Sequence, residues 1–154
     1  MDKVKKFDEE LKIIYKDNVF FQKVLSILFF GLSILIMSIP FELEDGFWIY
    51  LLQRNYMSAL GVIQYMQVYM TVTENNKRVS IYKRLAYMPV TKAEIRKVRY
   101  GYLNRICWRM GAAMIAVHQI SSLLNHSFGM ASVLYAASCA AFMWGVGMIY
   151  VCAV

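Results

Sequence analysis

Three stretches without a charged residue constrain this chain more than any other feature. Val24 to Phe41 runs for 18 residues, Asn55 to Thr73 for 19, and Met110 to Val154 for 45. A membrane-crossing helix needs roughly 20 mainly apolar residues, within a range of about 17 to 25. The last stretch holds most of two such helices, and "NHSFG" (Asn125 to Gly129) is its natural break. The pattern predicts an all-α integral membrane protein forming one transmembrane domain, with spans at 20–40, 53–73, 102–123 and 129–152. Composition agrees, because 59% of the 154 residues are hydrophobic and 18% charged. A soluble domain has about half and about a quarter. The first span follows 23 residues of mixed charge and has no A-x-A cleavage pattern after it, so it reads as a retained helix and not a secretory signal.

Lysine and arginine crowd two segments. Lys3, Lys5, Lys6, Lys12, Lys16 and Lys23 precede the apolar run of the first span. Lys77, Arg78, Lys83, Arg84, Lys92, Arg96, Lys97 and Arg99 fall between the second and third, with Arg105 and Arg109 just beyond. The remaining connections carry Arg54 with Glu42, Glu44 and Asp45, or no charge at all. The positive-inside bias then places the N-terminus and central loop in the cytoplasm, and an even span count does the same for the C-terminus. The protein is expected in the cytoplasmic membrane. Its net charge of +7 is mostly topology, and no nucleic-acid partner is expected. Cys107, Cys139 and Cys152 all lie in expected spans without a C-x-x-C pair, and read as small apolar residues. His118 and His126 have no carboxylate nearby in sequence, so no metal site is expected.

Residues 1–18 form an amphipathic helix on the cytoplasmic side. Val4, Phe7, Leu11 and Ile14 make one stripe beside Tyr15, while Lys5, Lys6, Asp8, Glu9, Glu10 and Lys12 fill the other face. Such a helix lies on membrane lipids with its apolar side down, or packs on a neighbouring subunit. Trp48 and Tyr50 suit the outer headgroup level, and residues 46–53 are either a small interfacial helix or the start of a long second span. Gln64, Gln67 and Thr71 form a polar line at spacings of three and four, serving helix–helix hydrogen bonds or a transport pathway. Ala137, Ala141 and Gly145 give a small-residue stripe that suits close packing, against another helix of this chain or a second copy.

The segment "YMPVTKAEIRKVRY" (87 to 100) carries a complete helix start. Thr91 and Glu94 are spaced as a capping box, and Val90 and Ile95 stand where a hydrophobic staple would be. Pro89 disfavours helical geometry at Met88, so one helix ends near Tyr87 and the next begins at Thr91. Before the break, Ile81, Leu85 and Met88 share one side of a short helix, with Lys83 and Arg84 beside them. A flexible linker needs none of this. The 74–101 loop is therefore expected to dock on something.

"YKRLAYMPVTKAEIRKVRYGYL" resembles the first cytoplasmic loop of type-2 ABC transporter permeases, the membrane subunits of ABC exporters. The layout is also similar: an amphipathic N-terminal helix, two spans, then this loop. The resemblance implies a coupling helix that fits a cleft on a separate ATPase subunit. Tyr82, Lys83, Arg84, Leu85, Tyr87 and Met88 would form it, and Pro89, Val90 and Thr91 the turn. Phe7, Leu11 and Ile14 would be the membrane face of the N-terminal helix. Members usually have six spans per half, and this chain has four, without a basic tail after "YVCAV". It is then a reduced permease, or other membrane subunits or a second copy complete it, or a longer protein has been cut.

None of the eight glycines is followed by Lys, so there is no P-loop. No catalytic residue or bound cofactor is expected in this chain, and ATP and Mg would belong to the partner ATPase. The expected function is export of an amphipathic substrate such as a peptide or lipid-like compound. The alternative is a non-transporting membrane scaffold or immunity protein whose basic loop binds a regulator or anionic lipid.

Overall fold

Long apolar runs separated by short polar breaks produce a mostly helical chain. The computed structural model describes residues 2–38, 47–126 and 130–154. Helices α1 (Asp2–Ile14) and α2 (Lys16–Ser38) are separated only by Tyr15. Backbone bonds Tyr15 N–H to Leu11 O (2.9 Å) and Val19 N–H to Tyr15 O (3.1 Å) bridge the joint. Helix α3 runs unbroken over Phe47–Met70, so residues 47–53 are the opening turns of a long helix.

The helix stops at Met70, where a short hairpin begins. Strand β1 (Thr71–Glu74) pairs antiparallel with β2 (Lys77–Ser80), Thr71 facing Ser80 and Glu74 facing Lys77. Between them Asn75 and Asn76 both adopt positive φ, 48° and 59°. A two-residue mirror-image turn requires this, and asparagine tolerates it better than most residues. The expected second span, 53–73, is thus corrected at its end: Thr71, Val72 and Thr73 are strand. Thr71, Val72 and Thr73 are all β-branched, and with the Asn pair beyond Glu74 they favour pairing over a further helical turn.

Short helix α4 (Ile81–Arg84) and a 3₁₀ turn at Leu85–Tyr87 follow. Helix α5 (Lys92–Leu124) has 33 residues, and α6 covers Met130–Ala153. At 1.5 Å per residue α5 is about 50 Å long, well beyond a hydrocarbon core of about 30 Å. The break at 125–129 begins with Asn125 as C-cap and His126 at φ 52°. Residues 39–46 and 127–129, including most of the acidic connection after α2, lie outside the described residues.

Helix α2 packs on α3, α5 on α6, and α3 on α6, with α2 also touching α5. Their core is built from Phe30, Val62, Met66, Met70, Leu103, Met114, Met143 and Val151. Two glycines set the closest approaches. A side chain at Gly61 would run into the Phe30 ring at 2.7 Å, and one at Gly147 would collide with Leu103 and Val62. Gly147 against Leu103 and Gly111 against Ala140 run α5 and α6 antiparallel.

Among the described residues, Asn18–Ile36 is long and apolar enough to cross a membrane, with a mean hydropathy of 2.2. Only 17% of that stretch is buried, and Phe20, Phe21, Ile27, Leu28 and Leu35 are all exposed. The interior helix of a soluble protein would hide such residues. Ala137–Ala153 is likewise apolar but shorter.

Candidate functional site

Among the described residues, the ion pairs and the helix caps of α4 and α5 collect where α1, the hairpin, α4 and the start of α5 come together. Ser80 starts the assembly. Its hydroxyl accepts from Tyr82 N–H (3.4 Å) as the α4 N-cap and donates to Val154 O (2.7 Å), tying the hairpin to the end of α6. Ile81 and Leu85, one turn apart, are buried with Ile95, each at 2% exposure or less. Phe7 and Leu11 of α1, with Tyr82 and Val90, close over them.

The chain then reverses. Met88 is extended (ψ 149°), as a residue before proline should be, and its N–H donates to Leu85 O at 2.9 Å. Thr91 caps α5 with the full reciprocal box. Glu94 N–H donates to the Thr91 hydroxyl (3.3 Å), and Glu94 Oε2 accepts from Thr91 N–H (2.8 Å) and Oγ1 (2.9 Å). The Thr91 backbone bond, followed by the hydroxyl bond, lowers the Glu94 pKa from its ordinary 4.5. Arg84 pins the outer side of the corner to the hairpin through Glu74, at 2.9 Å.

This arrangement divides the residues expected to dock a partner. Leu85 faces inward and holds the corner together, while Tyr82 is half-buried beside it. Tyr87, at 96% exposure, stands at the tip with exposed Met88 and Pro89, and Lys83 and Arg84 beside them. Of the α1 stripe, Phe7 and Leu11 are half-buried against the corner cluster, whereas Ile14 is exposed. Val90 and Ile95 do meet in the same cluster.

One part of the site escaped sequence reading. Asp8, expected on the polar face of α1, is buried and receives a two-pronged bond from Arg99, Nη1 to Oδ2 at 2.5 Å and Nη2 to Oδ1 at 2.6 Å. Arg99 has no exposed side-chain surface and Asp8 has 4%. Tyr102 donates to the same carboxylate at 3.1 Å. The guanidinium and Lys12 Nζ both lie over the Tyr69 and Tyr102 rings, which stack at 4.4 Å. Burial lowers the Lys12 pKa, with Asp8 opposing it. The available signal was position: Asp8 falls on the Val4, Phe7, Leu11 stripe at helical spacing. Its partner, one of 17 basic residues, carried no signal at all.

No protein-family model, no curated protein and no solved structure matches this chain.

The remaining expected sites are not brought together. Gln67 accepts from Arg78 Nη1 (3.1 Å), and Thr71 Oγ1 bonds back to Gln67 O (2.9 Å), so both serve the hairpin end. Gln64, a turn deeper, has a buried Oε1 without a partner among the described residues. Ala137 and Ala141 are exposed, and nothing among the described residues lies within 4 Å of a side chain at Gly145. Ala137 borders a groove against Gly111 and Ile115 of α5. Among the described residues no three His, Cys, Asp or Glu side chains group as a metal would require.

Proposed function

We propose that this chain is the membrane-embedded permease subunit of an ABC-type exporter, driven by a separate ATPase that docks on the corner at Tyr87. Helices α2, α3, α5 and α6 cross the bilayer, and the α1, hairpin and corner end faces the cytoplasm. Of the 17 Lys and Arg residues, all but Arg54 lie before residue 24 or between 77 and 109, as the positive-inside bias requires. ATP and Mg bind the partner, and this chain contributes no chemistry. The transported compound is amphipathic, a peptide or lipid-like molecule, in keeping with an apolar interior whose polar groups, such as Gln64 and Gln67, are uncharged. Other membrane subunits or a second copy complete the pathway.

The observation that carries this reading is Tyr87. A large aromatic side chain at 96% exposure is unusual unless something covers it, and aromatic anchors dominate interface energetics. Its mount is rigid: a buried cluster beneath, proline on one side and a satisfied helix cap beyond. Such a corner passes displacement to α5, whereas a loose loop would absorb it.

Affinity purification from native membranes tests the proposal. An ATPase should co-purify with the wild-type chain, and Tyr87→Asp should remove it without lowering the amount of inserted protein. Undiminished ATPase recovery with Tyr87→Asp would end the docking assignment. Absence of any ATPase from the wild-type preparation would leave the membrane scaffold reading in its place.

A further inference from the structure

A cavity of about 300 Å³ lies beside the corner, walled by the end of α1, the start of α2, the end of α3 and the hairpin. Two cations face it. Lys12 makes no ion pair among the described residues and rests on the Tyr69 and Tyr102 rings instead. Arg78 uses one of its five donors on Gln67 and makes no ion pair among the described residues. Among the described residues of the wall the one acid is Asp8, which is neutralised by Arg99 and capped by Tyr102. The described residues of the wall therefore leave two cations, Lys12 and Arg78, without an ion-pair partner. Burial already disfavours the charged form of Lys12, and an anion there would restore it.

Neutral groups add a second requirement. Asn18, Gln22 and Gln67 also line the wall, and Gln22 Oε1 is buried without a hydrogen-bond partner among the described residues. A buried acceptor without a donor is costly, and a ligand hydroxyl would satisfy it. Phe21 belongs to the same wall and is 60% exposed, so the cavity reaches the outer face of α2. Val24 and Leu28, at helical spacing from Phe21, continue that exposed apolar track.

We propose that this cavity binds the headgroup of an anionic phospholipid carrying free hydroxyls, of the phosphatidylglycerol kind. Its phosphate sits between Lys12 and Arg78, a headgroup hydroxyl donates to Gln22, and an acyl chain follows Phe21, Val24 and Leu28. The inference rests on the membrane placement of α2 argued above. It does not depend on the ATPase. A lipid held here touches α1, α3 and the hairpin at once, so it stabilises the mount of the docking corner.

The full chain in mild detergent, titrated with short-chain phosphatidylglycerol and phosphatidylcholine, provides the test. Thermal unfolding midpoints should rise saturably, with phosphatidylglycerol roughly tenfold or more tighter than phosphatidylcholine. Lys12→Gln with Arg78→Gln should erase the preference, and Lys83→Gln with Lys97→Gln, equal in charge but outside the cavity, should keep it. If the cavity variant does not fold, Arg78→Gln alone, on the exposed hairpin, should still lose part of the preference. Equal response to both lipids, or equal loss in the control variant, overturns the site. A matching response to inorganic phosphate or glycerol phosphate overturns the lipid and points to a soluble phosphate ester. Vesicle flotation separates this failure from the deeper one. A chain that floats with vesicles yet shows no preference has lost only the site, and one that floats with no vesicle has lost the membrane reading itself.

Discussion

Asp8, Arg99 and Thr91 at the basic end and Gly61, Gly111 and Gly147 in the helix body all mark close contacts, yet different physics fixes each set. At the end, contacts are directional: a two-pronged ion pair, a capping box and a hairpin turn. In the body, contact is a matter of shape, with one helix fitted against the missing side chain of another. The outer face then shows what happens without either. Ala137, Ala141 and Gly145 have the small residues that close packing needs, but Ala137 and Ala141 are exposed and nothing among the described residues meets a side chain at Gly145. Small residues permit an approach; they do not specify a partner.

The sharpest attack on this contrast is at Asp8. Asp8→Ala leaves the Arg99 charge buried beside Lys12 with no counter-ion. Removing one partner of a buried pair typically costs about 3–5 kcal/mol. The unfolding midpoint should fall steeply and α1 should become sensitive to protease. Asp8→Leu with Arg99→Leu should recover much of the loss, because the price of a buried pair is mostly desolvation. A double variant as unstable as the single would mean that directionality, not charge burial, holds this end.

Shape is tested at Gly147. Gly147→Leu places a side chain where Leu103 and Val62 already stand, and overpacking of this kind costs about 1–3 kcal/mol. The thermal midpoint in detergent should drop, and a wild-type midpoint would show that α6 can shift away freely.

A smaller effect is expected at the cap. Thr91→Ala should cost about 0.5–2 kcal/mol by helix-cap precedent. The Glu94 pKa is lowered on folding, so its contribution is complete above the ordinary value of 4.5 and is lost as pH falls through the lowered one. In Thr91→Ala that acid dependence should flatten, as pH-jump denaturation curves would record. An unchanged acid limb would sever Glu94 from the cap.

The smallest effect on the fold itself belongs to Gly145→Leu, two residues from Gly147. Here the new side chain enters open space, so the thermal midpoint should hold. If the stripe meets a second copy or another subunit, the mass of the complex in mild detergent should nonetheless fall. An unchanged mass would make the stripe a lipid-facing surface.

Local signals made much of this protein legible in its sequence. The charge-free runs predict α2, α3, α5 and α6, because apolar length is a property of consecutive residues. The Thr91–Glu94 box and the pre-proline break at Met88 are equally local, and they appear with the bonds their spacing predicts. The hairpin departs from this pattern: the charge-free run through Thr73 predicts helix to its end, whereas Thr71 already pairs with Ser80 and Asn75-Asn76 form the turn. What only the tertiary structure decided is which side of each element faces inward. Leu85 and Tyr87 are two residues apart in one short turn, one buried at 2% and the other exposed at 96%. Periodicity places Leu85 on an apolar face, but whether α1 or a partner covers that face depends on residues about 75 positions away. Asp8 and Arg99 are likewise 91 positions apart. Pairing across such distances is set by packing of the whole chain, and no window of sequence holds both partners.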